Sequence, residues 1–517
     1  MTQPDADLIT AYRTLLLDPL LFCQHGSGLK LRRYQERVAH AVVHSVVQGL
    51  GLSIVVMFCR QSGKNELQAQ LETYLLTLLS PLNAEIVKVS PTWKPQSLNA
   101  MRRLERVLSG NVMSSQLKWE KEQGYIFRVG KARITFLSGS PTANIVGATA
   151  GTLLECDEAQ DVSIEKWDKD INPMAASTNA TRVFWGTAWT SQTLLARELR
   201  AALEAEKADN IQRVFIADAD RVGREVPAYK RFVQAETAKL GRNHPFVRTQ
   251  FYCEEIDSQG GMFPPERQAL MKGDHPPLAA PQDGHTYAFL VDVGGEDKPP
   301  SPDGRGDGGE GEHDSTALTI VEIDLSLLND PAIAAPRYLV RHRRAWTGAA
   351  QTALYSELRA LAELWQPRRV VVDSTGIGAG LASFLDKAFP GQVIPFTFTL
   401  ASKTALGWGF LAVIETGRFK DHASNAGAMH LEGALHLDHQ RTFQQQLELC
   451  QLETLPGPGR MIRWGVPDGA RHPITGELVH DDLLISAALS SLLDREEWGT
   501  AESAVVAAYD PLADLTF

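Results

Sequence analysis

Cysteine is scarce in this chain. The 517 residues hold five, at 23, 59, 156, 253 and 450, with no Cys-x-x-Cys pair. That argues against a disulfide framework or a cysteine zinc site and fits a reducing, intracellular setting. No apolar run reaches the ~18 residues of a membrane span, so no membrane partner is expected. The acidic opening Met1-Thr-Gln-Pro-Asp-Ala-Asp7 has no signal-peptide pattern. An excess of positive charge is also missing. The formal net charge is −11, so the chain does not advertise a nucleic-acid partner in bulk, and any such contact has to be local. What remains is ordinary globular composition at a length too great for one core, which predicts two domains.

The first informative stretch runs from Ser53 to Phe58, a short apolar run rich in β-branched residues that reads as a buried strand. It ends in Cys59-Arg60-Gln61-Ser62-Gly63-Lys64. A helical pattern follows, with Leu67, Leu71, Leu75 and Leu78 on one face. In that layout, backbone N–H groups at the helix start cradle phosphate oxygens and the lysine adds a point charge. The standard pattern has Gly at 58 and Ser or Thr at 65; Phe58 and Asn65 stand there instead. The plain alternative is a β-turn-helix with an exposed lysine. Upstream, Tyr34-Gln35 offers a ring that can stack on adenine and an amide that can pair with its edge; otherwise it is only a helix start.

Downstream, Gly151 to Glu158 reads as a strand ending in Asp157-Glu158. An Asp there organises a magnesium hydration shell, and the Glu activates a water for attack on a γ-phosphate. The alternative is a helix N-terminus that favours acids. Arg182 to Thr190 reads as a core strand whose tip, Gly186-Thr187, would sit beside the γ-phosphate. Arg102, Arg103 and Arg106 form either a solvated face or a phosphate-contacting edge, and Phe127 to Leu137 suggests paired strands. Strands alternating with helices predict a doubly wound parallel sheet with its ligand at the strand C-termini.

Residues 256–284 are rich in Gly and Pro and mark a domain boundary. Beyond them, a buried strand ends at Asp292, a second starts at Asp314, a basic third runs from Tyr338 to Trp346, and another buried strand ends at Asp373. His480-Asp481-Asp482 opens a helix. Singly, Asp373 supports a turn and Asp481 caps a helix. Together such acids bind two hard divalent ions, which stabilise the attacking and leaving oxygens of phosphodiester cleavage. Arg341, Arg343, Arg344, Arg368 and Arg369 are either DNA-backbone contacts or solvated strand-end charges. Leu455 to Trp464 suggests a Pro-Gly hairpin gating the nuclease.

In this order, the motifs resemble the large terminase subunits of tailed bacteriophages, the motors that package DNA into procapsids. The resemblance implies an α/β chain: an N-terminal P-loop doubly wound sheet, then a C-terminal ribonuclease-H-like mixed sheet. Its boundaries would be 1–255 for the ATPase domain, with 1–29 a helical lead-in, 256–284 for a linker, 285–495 for the nuclease and 496–517 for an acidic tail. It assigns Tyr34 and Gln35 to adenine; Arg60, Gln61, Ser62, Gly63, Lys64 and Asn65 to phosphate; Asp157 and Glu158 to magnesium and water; Gly186 and Thr187 to coupling. Asp292, Asp314, Asp373 and Asp482 become nuclease metal ligands, with Asp481 a cap or a further ligand. ATP with Mg2+ and two Mg2+ or Mn2+ ions are the implied cofactors. Double-stranded DNA, the portal protein, the small terminase subunit and further copies in a ring are the implied partners, in the cytoplasm of an infected bacterium.

One feature of some members is missing. Asn144 to Thr149 holds no arginine, so a residue acting on a neighbour's ATP is left unassigned. Two rivals stand beside this reading. A helicase–nuclease would need a second RecA-like domain, for which 195–285 leaves no room. A nucleotide-binding docking subunit would have lost turnover through Asn65.

Overall fold

The computed structural model describes residues 6–145, 147–256, 259–294, 315–423, 433–455, 459–471 and 478–498, with Gly457 and Gly476. The chain divides into two compact units. The first holds 1–264, 399–404 and 448–468; the second holds 265–398, 405–447 and 469–517. The segment 448–468, which the sequence places in the second domain, thus belongs to the first unit.

The first unit is built on β1 (Ser53–Phe58), β2 (Glu85–Ser90), β3 (Glu120–Glu122), β4 (Ile126–Val129), β5 (Ala132–Ser138), β6 (Leu153–Cys156), β7 (Thr181–Gly186) and β8 (Val214–Ala217), with a short β9 (Gln259–Gly261) outside that sheet. The order is β3-β4-β5-β2-β6-β7-β1-β8. From β5 to β8 all neighbours run parallel, while β3, β4 and β5 pair antiparallel. The expected doubly wound sheet is therefore present, and the paired strands at 127–137 form its antiparallel edge.

Alternation along β1 shows why both faces are covered. Ile54, Val56 and Phe58 enter one core and Val55 and Met57 the other. The first core is filled by Val38 and Val42 of the helix Arg33–Val47 and by Leu67, Leu71 and Leu75 of the helix Lys64–Leu78. Trp167, Leu194 and Leu195 fill the second. Each such side chain contributes roughly 1.5–3 kcal/mol on full burial. The helix Lys64–Leu78 is buried beyond its leucine face: Gln68, Glu72 and Thr73 are also enclosed, and Gln68 and Glu72 find polar partners while Thr73 Oγ1 has none among the described residues.

The second unit carries β10 (Tyr287–Asp292), β11 (Ser315–Asp324), β12 (Arg337–Thr347), β13 (Arg369–Asp373), β14 (Val393–Phe396) and β15 (Phe419–Lys420), in the order β14-β13-β10-β11-β12-β15. β11 is antiparallel to both its neighbours, and β10, β13 and β14 are parallel. Three antiparallel strands extended by two parallel ones beside the first is the ribonuclease-H-like arrangement expected. β16 (Gln451–Thr454) and β17 (Ile462–Gly465) form the predicted hairpin, and β16 also pairs with β9, so this small sheet completes the first unit. Among the described residues no helix is long and apolar enough to cross a membrane.

Candidate functional sites

The strand order puts β7 between β1 and β6. The tips of these three parallel strands therefore bring Cys59–Lys64, Gly186–Thr187 and Asp157–Glu158 to one edge. The loop after β1 is tied down from both sides. Arg60 N donates to Gln250 O at 2.8 Å, and the Tyr229 hydroxyl donates to Arg60 O at 2.6 Å. Gln61 and Gly63 hold positive φ, 61° and 88°. At 63 a side chain is excluded twice over, because a Cβ there would meet Gln35 Nε2 at 2.8 Å.

Tyr34 and Gln35 brace this loop from below. The Tyr34 hydroxyl donates to Ser62 O (2.7 Å), and Gln35 Nε2 donates to Gly63 O (3.1 Å). Gln35 Oε1 accepts from Arg32 N, and Arg32 Nη1 also reaches Ser62 O (3.0 Å). The Tyr34 ring is buried edge-on to Phe58. Both ends of the amide and the hydroxyl of the ring are thus engaged within the chain.

A cavity of about 420 Å³ opens over the loop, lined by Arg60, Gln61, Gly63, Lys64, Asn65, Glu66, Arg103, Glu158 and Thr187 among others. Lys64 Nζ lies 3.0 Å from Glu158 Oε1. Ser62 Oγ is buried with no hydrogen-bond partner among the described residues, and Ser62 does not line the cavity. Glu158 takes left-handed backbone angles, φ 45° and ψ 51°, strain of the kind that persists where a side chain must be aimed. Burial opposes its charge. Lys64, a hydrogen bond from Gln160 Nε2 at 2.8 Å, and Arg460 outweigh that and hold the carboxyl below its ordinary range. Asp161 beside it is pushed by burial up to about 6.

Asp157 is buried and accepts from Gln68 Nε2 at 3.0 Å. Gln68 in turn accepts from Lys88, which pairs with Glu72 at 2.6 Å. Asp157, Glu158 and Asn65 line a smaller pocket of about 140 Å³ that shares Arg103 with the first. A carboxylate and an amide oxygen facing one space suit a hydrated magnesium ion. Thr187 N donates to Gln160 Oε1 at 3.1 Å, and a Cβ at Gly186 would fall 2.4 Å from that oxygen. Gln68, Gln160, Gln250, Arg32 and Arg460 escape sequence reasoning, since amides and lone arginines carry no spacing signal. Of the α-helical arginines, Arg103 and Arg106 pair with Glu66, and Arg103 lines the cavity.

In the second unit, the register Val291↔Val372 sets Asp292 beside Asp373 at the ends of two parallel strands. Asp373 is buried, its carboxyl is raised by that burial, and Oδ1 accepts from Thr375 N at 2.8 Å. Asp482 Oδ2 accepts from Ser315 N, at the start of β11, at 3.2 Å. Ser486, one turn on, donates to Leu290 O at 2.8 Å and fixes that helix over β10. Asp292, Asp373 and Asp482 thus come to one end of the sheet. Asp314 lies outside the described residues. Among those described, no three His, Cys, Asp or Glu side chains are grouped to hold a metal ion. Asp481 occupies the cap position of the helix Asp482–Ala488, but its side chain makes no capping hydrogen bond.

The basic strand is a correction to the sequence reading. Arg341 pairs with Glu322 at 2.8 Å and Arg343 with Asp421 at 2.7 Å, all four buried. The segment before β10 covers this part of β12, where Leu278 N donates to Arg341 O at 2.8 Å and Arg341 Nη1 donates to Pro276 O at 3.0 Å; β15 pairs only with Tyr338 and Leu339. Arg369, on β13, pairs with Glu496 at 2.6 Å.

No protein-family model matches the sequence, and no curated protein does. Among solved structures, a large terminase from a thermophilic bacteriophage is similar over 90% of this chain and 100% of that one, at 11% identity and a TM-score of 0.46. The HK97 bacteriophage large terminase is similar over 92% and 99%, at 12% identity and 0.39. The large terminase nuclease of thermophilic phage G20c, with bound magnesium, is similar over 45% of this chain and 96% of its own, at 16% identity and 0.30.

Proposed function

We propose that this chain is a large terminase subunit. It hydrolyses ATP to drive double-stranded viral DNA into a procapsid and cuts concatemeric DNA with two divalent ions. The observation that carries the ATPase half is the Lys64–Glu158 pair, 3.0 Å long across a phosphate-loop cavity. An incoming triphosphate competes for Lys64. As the ammonium turns to the phosphates, Glu158 is released to accept a proton from the attacking water, and Thr187 senses the γ-phosphate from the adjacent strand tip. Asp157, with Asn65 beside it, would hold magnesium, which supplies charge neutralisation at the phosphates. Arg60, Gln61, Ser62 and Gly63 shape the cradle, and Tyr34 and Gln35 set its height.

In the nuclease half, Asp292, Asp373 and Asp482, with Asp314, would hold two Mg2+ or Mn2+ ions. Those ions supply Lewis acidity at the scissile phosphate. The support is the common sheet end that the described acids share. DNA, portal, small subunit and sister copies are the partners this reading requires. It is tested by ATP turnover and manganese-dependent plasmid cutting on the same purified chain. K64A is expected to remove the first and spare the second, and D373N the reverse. Loss of neither activity rejects the reading.

A further inference from the structure

The hairpin of the first unit ends in an arginine that the site above does not use. β16 and β17 pair from Gln451↔Gly465 to Thr454↔Ile462, and Leu455 N reaches across to Met461 O at 2.8 Å. The base is fixed. Ile462 exchanges hydrogen bonds with Thr404 Oγ1 at 3.2 and 3.0 Å, Trp464 Nε1 donates to Lys403 O at 2.7 Å, and Met262 N donates to Cys450 O at 3.0 Å. Such anchoring fixes the base of the hairpin against the first unit.

At that tip Arg460 adopts φ 48°, and its guanidinium lies 4.8 Å from the centre of the Trp189 ring. With the Gln250 amide turned so that its oxygen faces the arginine, that oxygen accepts from Nη1 at 2.5 Å and Nη2 at 3.2 Å. Both neighbours adjoin residues that line the phosphate-loop cavity, Thr187 and Arg60. Trp189 follows Thr187 by two residues, and Gln250 O holds the amide of Arg60. Stacking and an amide fix a guanidinium plane without neutralising it. Among the described residues no carboxylate lies within ion-pair distance of Arg460, though burial disfavours its charge and the nearest fields it feels are those of Asp161 and Glu158. The guanidinium is half-buried, feels Asp161 and Glu158 without pairing with either, and is opposed by Arg60, so its donors can still take up an anion at short range.

We propose that Arg460 takes up the terminal phosphate of ATP as a catalytic residue contributed in cis, carried to the phosphate loop by a hairpin from far along the chain. On this proposal, which rests on the ATPase reading, Arg460 stands over the tip of β7 and the start of the loop, where charge builds on the γ-phosphoryl oxygens as the bond to the leaving oxygen breaks. A preorganised guanidinium there acts in the transition state more than in the ground state. The chain then needs no neighbour's arginine, in keeping with the absence of one between Asn144 and Thr149.

The test measures ATP turnover and binding of a fluorescent ADP analogue. R460A is expected to lower turnover by roughly 10³-fold while leaving ADP affinity within about twofold, since ADP lacks the phosphate concerned. R460K recovers part of the rate and also serves if R460A folds poorly. Guanidinium ion added to R460A restores a fraction. Mixing R460A with excess K64A chains restores nothing, because the arginine acts only within its own chain. R460A turnover within threefold of wild type overturns the proposal. So does ADP affinity lost in step with turnover, or rescue by K64A chains. If wild type binds neither nucleotide, or K64A keeps full turnover, the ATPase reading itself has failed, a result separate from any behaviour of Arg460.

Discussion

Lys88 and Glu72 form an ion pair 2.6 Å long with side chains 2% and 1% exposed, and Gln68 carries that pair on to Asp157. Glu155 faces the same pair and is held well above its ordinary range, first by burial and then by Glu72. Lys88 is correspondingly raised: burial opposes its charge, but Glu72, Glu155 and Asp157 outweigh it. Removing one partner of a buried pair strands the other. Lys88→Met is therefore expected to cost roughly 3–5 kcal/mol, whereas the double replacement K88M/E72L recovers most of that. Thermal unfolding of the two variants decides it. A single variant as stable as the wild type would show that the pair is solvated and that Asp157 is positioned by something else.

Glu158 is bonded to Lys64 and Gln160, so on the proposed ATPase reading its carboxylate is held until ATP takes Lys64. Glu158→Gln keeps the shape and removes the base. The expected result is ATP binding at wild-type affinity or tighter with turnover lowered by about 10²–10⁴-fold. Lys64→Ala loses affinity and turnover together. Filter binding beside a phosphate-release assay separates the two. An E158Q chain that turns over ATP normally assigns the base elsewhere.

Asp481 and Asp482 are adjacent in sequence but not equivalent in space. Asp482 reaches the amide of Ser315, at the start of β11, whereas Asp481 stands at a helix cap with no capping bond from its side chain. Asp292→Asn, Asp373→Asn and Asp482→Asn are each expected to remove manganese-dependent cutting and to weaken manganese binding by calorimetry. D481N retains at least a third of the cutting rate. Equal losses at 481 and 482 would place both carboxylates on the metal.

The sheets were legible because parallel buried strands write themselves as apolar runs, as Ser53 to Phe58, Leu153 to Cys156 and Val370 to Val372 do. So was the convergence of Asp292 with Asp373, since both terminate such runs. Three things were not legible. The Tyr34 ring points into the core because Phe58, where the standard loop has Gly, gives it a partner. The arginines of β12 read as a basic surface, but Glu322 and Asp421, remote in sequence, neutralise them. The Pro-Gly hairpin at 455–464 reads as part of the second domain, because nothing local reveals that β16 pairs with β9 and joins the first unit. Each is a long-range contact, which periodicity cannot report.

His422 gives the second unit an acid sensitivity separate from Asp292, Asp373 and Asp482. It is 6% exposed, and burial, opposed by Asp421 and reinforced by Arg343 and His275, lowers it from 6.5 to about 4. Its Nδ1 is buried without a partner among the described residues, and Gln440 Nε2 donates to its carbonyl at 2.9 Å. Folded protein therefore keeps this ring neutral at pH values where the unfolded chain has already taken a proton. Stability is complete above about pH 6.5 and falls as pH drops toward 4. The total loss from this one group is about 3 kcal/mol, of which about 2 kcal/mol is gone by pH 5. Urea midpoints at pH 7.5 and pH 5 measure the effect, and His422→Gln should remove that part of the difference, whatever its effect on stability at pH 7.5. An unchanged pH difference in H422Q would move the acid sensitivity to the neighbouring His275, which burial also lowers and whose Nε2 lies 2.9 Å from Val340 O.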